Sequence, residues 1–364
     1  MTLPLRDRHI ALGARWTTVE SEEIPFHYGD PIAEHLAVRE SAGLADRSHR
    51  GVWRLTGPDA ARYLHGLLSN DIESLQPGQG CAALLLTARG GIVCDLVVHR
   101  RSSEEFFLHA SAETRVAGFA ELHRFLVGDD AAIEDVSNAM GMLGVYGPAA
   151  REATATLWTE PIPPMPEGHF TERRFGEDAV LVSATHWTGE EGVELLAARG
   201  AISGLWDPLL DALRVRGGRA VGEAALETLR VEAGTPRAGV DFDQETIPQQ
   251  AGLERAVSFT KGCYRGQEIV LRVRTRGHAN RTLVGLALEG LTDALPARGT
   301  KLHVDGQEKG WITSAIHAPT LGRPIALGYL HRTATAPGTL VEVATIPPRG
   351  ARVVSLPFYR RHPP

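Results

Sequence analysis

Cysteine is scarce: Cys81, Cys94 and Cys263 are the 3 present among 364 residues. They are widely spaced and form no Cys-x-x-Cys pair, which argues against a disulfide framework and against a self-sufficient zinc or four-cysteine iron–sulfur site. A reducing compartment follows, and no resident metal is expected. No apolar run approaches the ~20 residues that cross a bilayer, and the opening MTLPLRDRHIALGARW lacks the apolar centre of a signal peptide. The expectation is a soluble cytoplasmic protein with no membrane partner. Aromatic residues make up 6% and the formal net charge is −6, so no broad positive field advertises a nucleic-acid binder. Tandem repeats and low-complexity tails are also missing. What remains is a chain that is 43% hydrophobic, long enough for two or three domains at roughly 100–200 residues each.

The pattern along the chain alternates. DPIAEHLAVRESAG has apolar residues at helical spacing and Gly43 to end it. GVWRLTG reads as a strand, followed by a helix over DAARYLHGLLSND that Asp59 is placed to cap. CAALLLT and GIVCDLVVHR form a hairpin across Ala88-Arg89-Gly90-Gly91, EEFFLHA is a further strand, and SAETRVAGFAELHRFL is a helix beginning at a serine cap. The second half opens with the strand GVYG, passes a proline-rich connection at EPIPPMPEG, and carries helices near 202–215 and over EAALETLRVEAG. Beyond about residue 280, six short runs from RTLVGLALEG to ARVVSLPFY suit a small barrel or sandwich. The whole is an α+β protein with a β-rich C-terminal part.

Several stretches carry chemistry. In GIVCDLVVHR, period two sets Val93, Asp95, Val97 and His99 on one face and Cys94 on the other. Asp95 between apolar neighbours is a carboxylate with reason for a raised pKa, suited to hydrogen-bonding a heterocycle or handling a proton; it is equally the kind of residue that faces solvent at a strand end. His99 reads as structural and Cys94 as a small buried hydrophobe. WTGEEGVE offers a turn followed by carboxylates. Arg230 sits in the last turn of LETLRVEAG, where a cation suits the helix dipole. KGCYRGQE, residues 261–268, sets Cys263 between Lys261 and Arg265 with Gly262 and Gly266 near, a setting that favours a thiolate. After it, IVLRVRTRG alternates, so that as a strand Leu271, Val273 and Thr275 would face one way and Arg272, Arg274 and Arg276 the other. Such a stripe is either a solvated face or a site for a polyglutamate-like tail of a small ligand, an acidic protein or, least of all without aromatic interleaving, RNA.

Taken together, EHLAVRESAGLADRSHRG, LTGPDAARYLHGLLSND, GGIVCDLVVHR, WTGEEGVE, LRVEAG, ITSAIHAPTLGRPIALGYL and the terminal VVSLPFY resemble successive segments of the glycine-cleavage T protein, an aminomethyltransferase that uses tetrahydrofolate. At 261–268 the F-I-G-K/R type of pattern gives way to KGCYRGQE, which resembles the signature of the related YgfZ folate-binding family, associated with certain iron–sulfur enzymes. The signature comprises Lys261, Gly262, Cys263, Tyr264, Gly266, Gln267 and Glu268. The resemblance implies a three-domain ring of two interleaved α+β domains (1–48 with 143–233, and 49–142 with 234–279) and a C-terminal antiparallel barrel over 280–364. It implies that Asp95 is the folate-facing catalytic aspartate, that Glu194 accepts N–H bonds from the pterin edge, that Trp187 stacks on a flat ring, that Val97 joins the folate-binding set, and that Arg230 pairs with ligand carboxylates. The leading expectation is a YgfZ-like accessory protein for assembly or maintenance of iron–sulfur enzymes, with Cys263 and a reduced folate acting in one site region and iron–sulfur client or assembly proteins as partners. The alternatives are a T-protein-like aminomethyltransferase and a non-catalytic folate sensor that meets a partner through the arginine stripe.

Overall fold

The structure is a computed structural model that describes residues 4–290 and 294–361. Three β-systems organise it. A six-stranded sheet runs Phe170–Phe175, Asp178–Thr185, Gly192–Ala198, Met140–Tyr146, Gly43–Asp46 and Arg219–Ala220, antiparallel except at its last pair. A five-stranded antiparallel sheet runs Gly80–Leu86, Ile92–Arg100, Glu105–Ala110, Gly51–Thr56 and Ala132–Asp135. The strands from Arg281 to Val354 close into a six-stranded antiparallel barrel. The chain therefore leaves the first sheet after Gly43–Asp46, builds the second, and returns to the first at Met140, which is the expected interleaving.

Each sheet buries one face under helices. Trp206 and its leucine neighbours on Ile202–Arg214 cover the six-stranded sheet, and Trp53, Leu64 and Leu122 lie in the core of the five-stranded one. The other faces meet each other: Val52 and Phe107 of the second sheet pack with Met142, Phe170, Leu181 and Leu196 of the first. Strand Ile92–Arg100 shows both sides of this arrangement. Cys94, Leu96 and Val98 belong to the helix-covered core, whereas Asp95 and Val97 line a cavity. Val93 departs from the predicted face and joins the helix-side core, because the pairing slips at a bulge between Leu85 and Leu86.

Two helix starts differ from expectation. Asp59 makes no side-chain cap bond; its carboxylate instead accepts from the Asp130 amide at 2.9 Å. The serine-capped helix begins later, at Arg115, with Thr114 at the cap position and no side-chain cap bond. The hydroxyls of Ser111 and Thr114 are turned to Asp95.

The larger correction is at IVLRVRTRG, which lies in a helix, Gln267–Arg276. β-branched residues alternating with arginine fit a strand, but Glu268 and Arg272 stand four apart and pair at 2.6 Å, an arrangement that supports helix. Gly266, at φ +81°, turns the chain into it, and a Cβ there would meet the Thr87 carbonyl oxygen at 2.5 Å. Arg272 and Arg274 are exposed on this helix, and Arg274 lies 3.8 Å over the Phe259 ring. A flat arginine ladder on a sheet does not form.

Candidate functional site

Between the two sheets and the start of helix Glu223–Glu232 lies a cavity of ≈ 1220 Å³, its open mouth included. It gathers Asp95, Val97, Trp187, Glu194 and Arg230 from four separate segments. The structure thus brings together five of the expected ligand-site residues, and it adds Arg47, His49, Arg50, Glu113 and Arg237.

Asp95 is held by one oxygen. Ser111 donates to Oδ1 at 3.1 Å and Thr114 stands 3.4 Å from the same atom. The Cys94 thiol in turn donates to Thr114 at 3.2 Å. Burial raises the Asp95 pKa, opposed by the nearby Arg50 cation and the Ser111 hydrogen bond. The second carboxylate oxygen takes no hydrogen bond from another side chain among the described residues, so a proton can be exchanged there with a cavity ligand.

Glu194 is tethered in the same one-sided way. Tyr146 donates its hydroxyl to Oε1 at 2.9 Å and Arg50 Nη1 lies 3.3 Å from that atom. Trp187 meets Tyr146 edge to face, with centroids 5.4 Å apart, and the Arg47 guanidinium lies 5.0 Å from the Trp187 ring centre.

Arg230 does not serve as a free cation. It is 3% exposed, and its N–H groups go to both Glu227 oxygens, to the Thr235 carbonyl, to Asp241 at 2.7 Å and to Ser314. A guanidinium has five N–H donors, and all are committed. Arg230 is a joint between the helix Glu223–Glu232, the loop 235–241 and the barrel, and it would reach ligand carboxylates only by giving up one of these bonds. Arg237 is less committed: Glu113, Glu223 and Glu227 take Nε and Nη1, and Nη2 has no hydrogen-bond partner among the described residues.

The KGCYRGQE segment lies elsewhere. None of residues 261–268 lines the cavity, so Cys263 and Asp95 do not share one. The motif instead docks on the five-stranded sheet. Tyr264 is buried with Leu84, Leu86 and Ile92. The Lys261 ammonium donates to the carbonyls of His65, Leu68 and Asn70, satisfying oxygens left open at the end of helix Ala60–Leu67; burial pulls its pKa down to about 8. Arg265 pairs with Glu121 and lies over Phe125. Gln267 donates to the Gly262 carbonyl at 3.3 Å. The two cations expected to activate the thiol are thus spent on docking, while Cys263 itself is exposed. Cys81 is intermediate and Cys94 buried. Among the described residues no cluster of His, Cys, Asp and Glu could hold a metal ion.

The sequence signal missed was ADRSHRG. There the chain turns, with the Arg50 amide donating to the Arg47 carbonyl at 3.0 Å; Arg47, His49 and Arg50 line the cavity while the Ser48 hydroxyl accepts from the Met142 amide.

Comparison with known proteins decides the family. The GCVT N-terminal domain family matches residues 5–261, and the glycine cleavage T-protein C-terminal barrel domain matches residues 281–360. The chain belongs to the glycine-cleavage T-protein family. It is similar to an aminomethyltransferase of Streptomyces coelicolor, with 34% identity over 97% of this chain and 96% of the relative. It is likewise similar to one of Rubrobacter xylanophilus, with 35% identity over 98% and 94%. The crystal structure of the glycine cleavage system aminomethyltransferase T from Bartonella henselae superposes with a TM-score of 0.91 at 29% identity, covering 100% of this chain and 99% of that one. The T-protein fold, with its closed barrel, is thereby established. No helix among the described residues is long and apolar enough to cross a membrane.

Proposed function

We propose that the cavity binds a reduced folate, and that the protein is a tetrahydrofolate-dependent aminomethyltransferase of the T-protein type. The single observation that carries this reading is the pair of half-tethered carboxylates in one cavity: Asp95 and Glu194 each have one oxygen fixed by side-chain donors and the other without a side-chain hydrogen bond among the described residues. The donor set suits a pterin, since a carboxylate oxygen accepts from an amino-pyrimidine edge and Trp187 offers an aromatic surface. A nitrogen of the bound tetrahydrofolate would accept the one-carbon unit. Asp95 stands to take or give the proton that this transfer moves, and Ser111 and Thr114 fix its orientation. The names of the relatives favour aminomethyl transfer over the iron–sulfur accessory role first expected, for which they offer no support.

A second reading keeps the folate site and adds a YgfZ-type accessory role for iron–sulfur proteins. Its support is local: Cys263 is exposed, and the segment 262–280 that carries it falls between the two matched family spans.

Calorimetric titration with tetrahydrofolate tests the shared part. Saturable binding that weakens at least tenfold in a folded Glu194→Ala protein supports the site, and absence of binding removes both readings. Complementation separates them: a deletion strain that regains iron–sulfur enzyme activities with wild type but not with Cys263→Ala favours the accessory role.

A further inference from the structure

The ring of His49 lies in the cavity wall at 5% exposure, yet among the described residues neither ring nitrogen has a hydrogen-bond partner, and Nδ1 is sealed from solvent. An imidazole left without partners in a protein interior is costly, and since no described residue supplies one, the partner comes from what occupies the cavity, water or a ligand that displaces it. A further buried nitrogen on the same wall is also without a partner among the described residues, Nε of Arg47. It and Nε1 of Trp187, which is directed toward the Tyr146 hydroxyl, are obligate donors. Arg47, Arg50, Arg237 and Arg115 surround His49 and, after burial itself, hold its pKa well below the usual histidine range.

The sealing of Nδ1 also selects the tautomer. A bare lone pair there costs less than an N–H with no acceptor, which puts the proton on Nε2. Arg47, His49 and Trp187 then make a wall of donors. It adjoins Glu194, an acceptor, through Arg50 and Tyr146. The 2-amino-4-oxo edge of a pterin reads donor, donor, acceptor along its length, so a ring whose amino and N3–H groups face Glu194 turns its C4 carbonyl toward that wall.

We propose that His49, as the neutral Nε2–H tautomer, donates to the C4 carbonyl of the bound pterin and makes the site selective for 4-oxo over 4-amino rings. This inference rests on the folate reading above and adds the ring edge that is recognised.

The test is binding of tetrahydrofolate and of its 4-amino-4-deoxy counterpart, under anaerobic conditions, to wild type, His49→Leu, His49→Gln and Glu194→Ala. The ratio of the two affinities is compared between proteins, so the different basicity of the two rings cancels. The expected result is a ratio that shifts about tenfold or more against the 4-oxo ligand in His49→Leu and stays near wild type in His49→Gln, whose amide reaches the place of Nε2. Glu194→Ala should weaken both ligands. An unchanged ratio in folded His49→Leu, with wild type binding and Glu194→Ala impaired, overturns the inference and leaves the folate reading standing; no binding by wild type overturns both. If His49→Leu does not fold, long-range ¹⁵N spectra of the unaltered protein decide: an Nε2–H tautomer whose Nε2 signal moves on adding tetrahydrofolate supports the assignment, and an imidazolium, an Nδ1–H tautomer or a still signal contradicts it.

Discussion

Tyr146 and Glu194 lie on neighbouring strands of the six-stranded sheet, and the tyrosine hydroxyl donates to the glutamate at 2.9 Å. The bond fixes one oxygen and leaves the other toward the cavity, so Tyr146 positions the group that would read a pterin edge. Tyr146→Phe should leave the fold intact, lower stability by about 1 kcal/mol, and weaken tetrahydrofolate binding several-fold. Calorimetry with thermal denaturation checks both; unchanged affinity at reduced stability assigns Tyr146 to the core alone.

Arg230 separates a structural joint from a ligand contact. Removing it strands Asp241, which is 2% exposed and accepts from Thr313 and Ser314 as well. Arg230→Ala is expected to cost roughly 3–5 kcal/mol of stability, as for other buried ion pairs broken on one side. Arg230→Lys should recover little, because one ammonium cannot reach five acceptor sites. Chemical denaturation of both variants gives the answer. A loss of folate affinity without loss of stability would restore the ligand role.

The junction between the two sheets should be acid-labile. His99 and His109 face each other at 4.7 Å between ring centres, beside Phe170, with the Arg50 cation near both and the Glu194 carboxylate acting on His99. Burial holds His109 down to about 3 and lowers His99 well below the usual range. The unfolded chain takes up these protons near pH ~6.5, whereas the native protein does not, so stability falls as pH drops below that value. From His109 alone the loss at about pH 5 is on the order of 2 kcal/mol. Urea denaturation at several pH values should show this slope, and His109→Gln should flatten it. Equal slopes in the two proteins would place the acid sensitivity elsewhere.

For KGCYRGQE the structure keeps Cys263 exposed, as expected, and gives Lys261 and Arg265 docking roles in place of thiol activation. Under native conditions an alkylating reagent should modify Cys263 well ahead of Cys81 and Cys94, as their exposures dictate. Cys263→Ser should leave the melting temperature within about 1 °C, a surface change worth under ~0.5 kcal/mol. Lys261→Ala should lower it distinctly, because three carbonyls lose their donor. Mass-spectrometric mapping of labelled peptides and two melting curves suffice, and a stable Lys261→Ala protein would show that the lysine is not the docking group.

Much of this was legible in the sequence, for identifiable reasons. The separate strands and the β-rich C-terminal part were carried by apolar runs with clear turn residues, and the face of Asp95 by a period of two that survives in the fold from residue 94 onward; the interleaving of the two sheets and the ligand role of Asp95 came from the resemblance to the T-protein family. Three things were not. The helix Gln267–Arg276 shares its alternation with a strand, and only the Glu268–Arg272 spacing and the left-handed Gly266 distinguish them. The saturation of Arg230 depends on Asp241, Thr235 and Ser314, distant in sequence and joined only by the fold. His49 carries no local signal, because what marks it is its place in the cavity wall and the lack of a partner in three dimensions.

The most direct test of the account is ammonia release from a carrier protein bearing an aminomethyl-lipoyl group, measured with and without tetrahydrofolate for wild type and Asp95→Asn. Burial raises the Asp95 pKa, so the ionised carboxylate burdens the fold as pH rises past its unfolded value of ~3.9, and the neutral amide should be at least as stable as wild type at neutral pH. The account predicts tetrahydrofolate-dependent release by wild type and a loss of 100-fold or more in Asp95→Asn, on the order expected for a missing acid–base group, without any fall in melting temperature. No release above background by a wild-type protein that binds tetrahydrofolate would contradict aminomethyl transfer, and an Asp95→Asn protein as active as wild type would contradict the role given to Asp95.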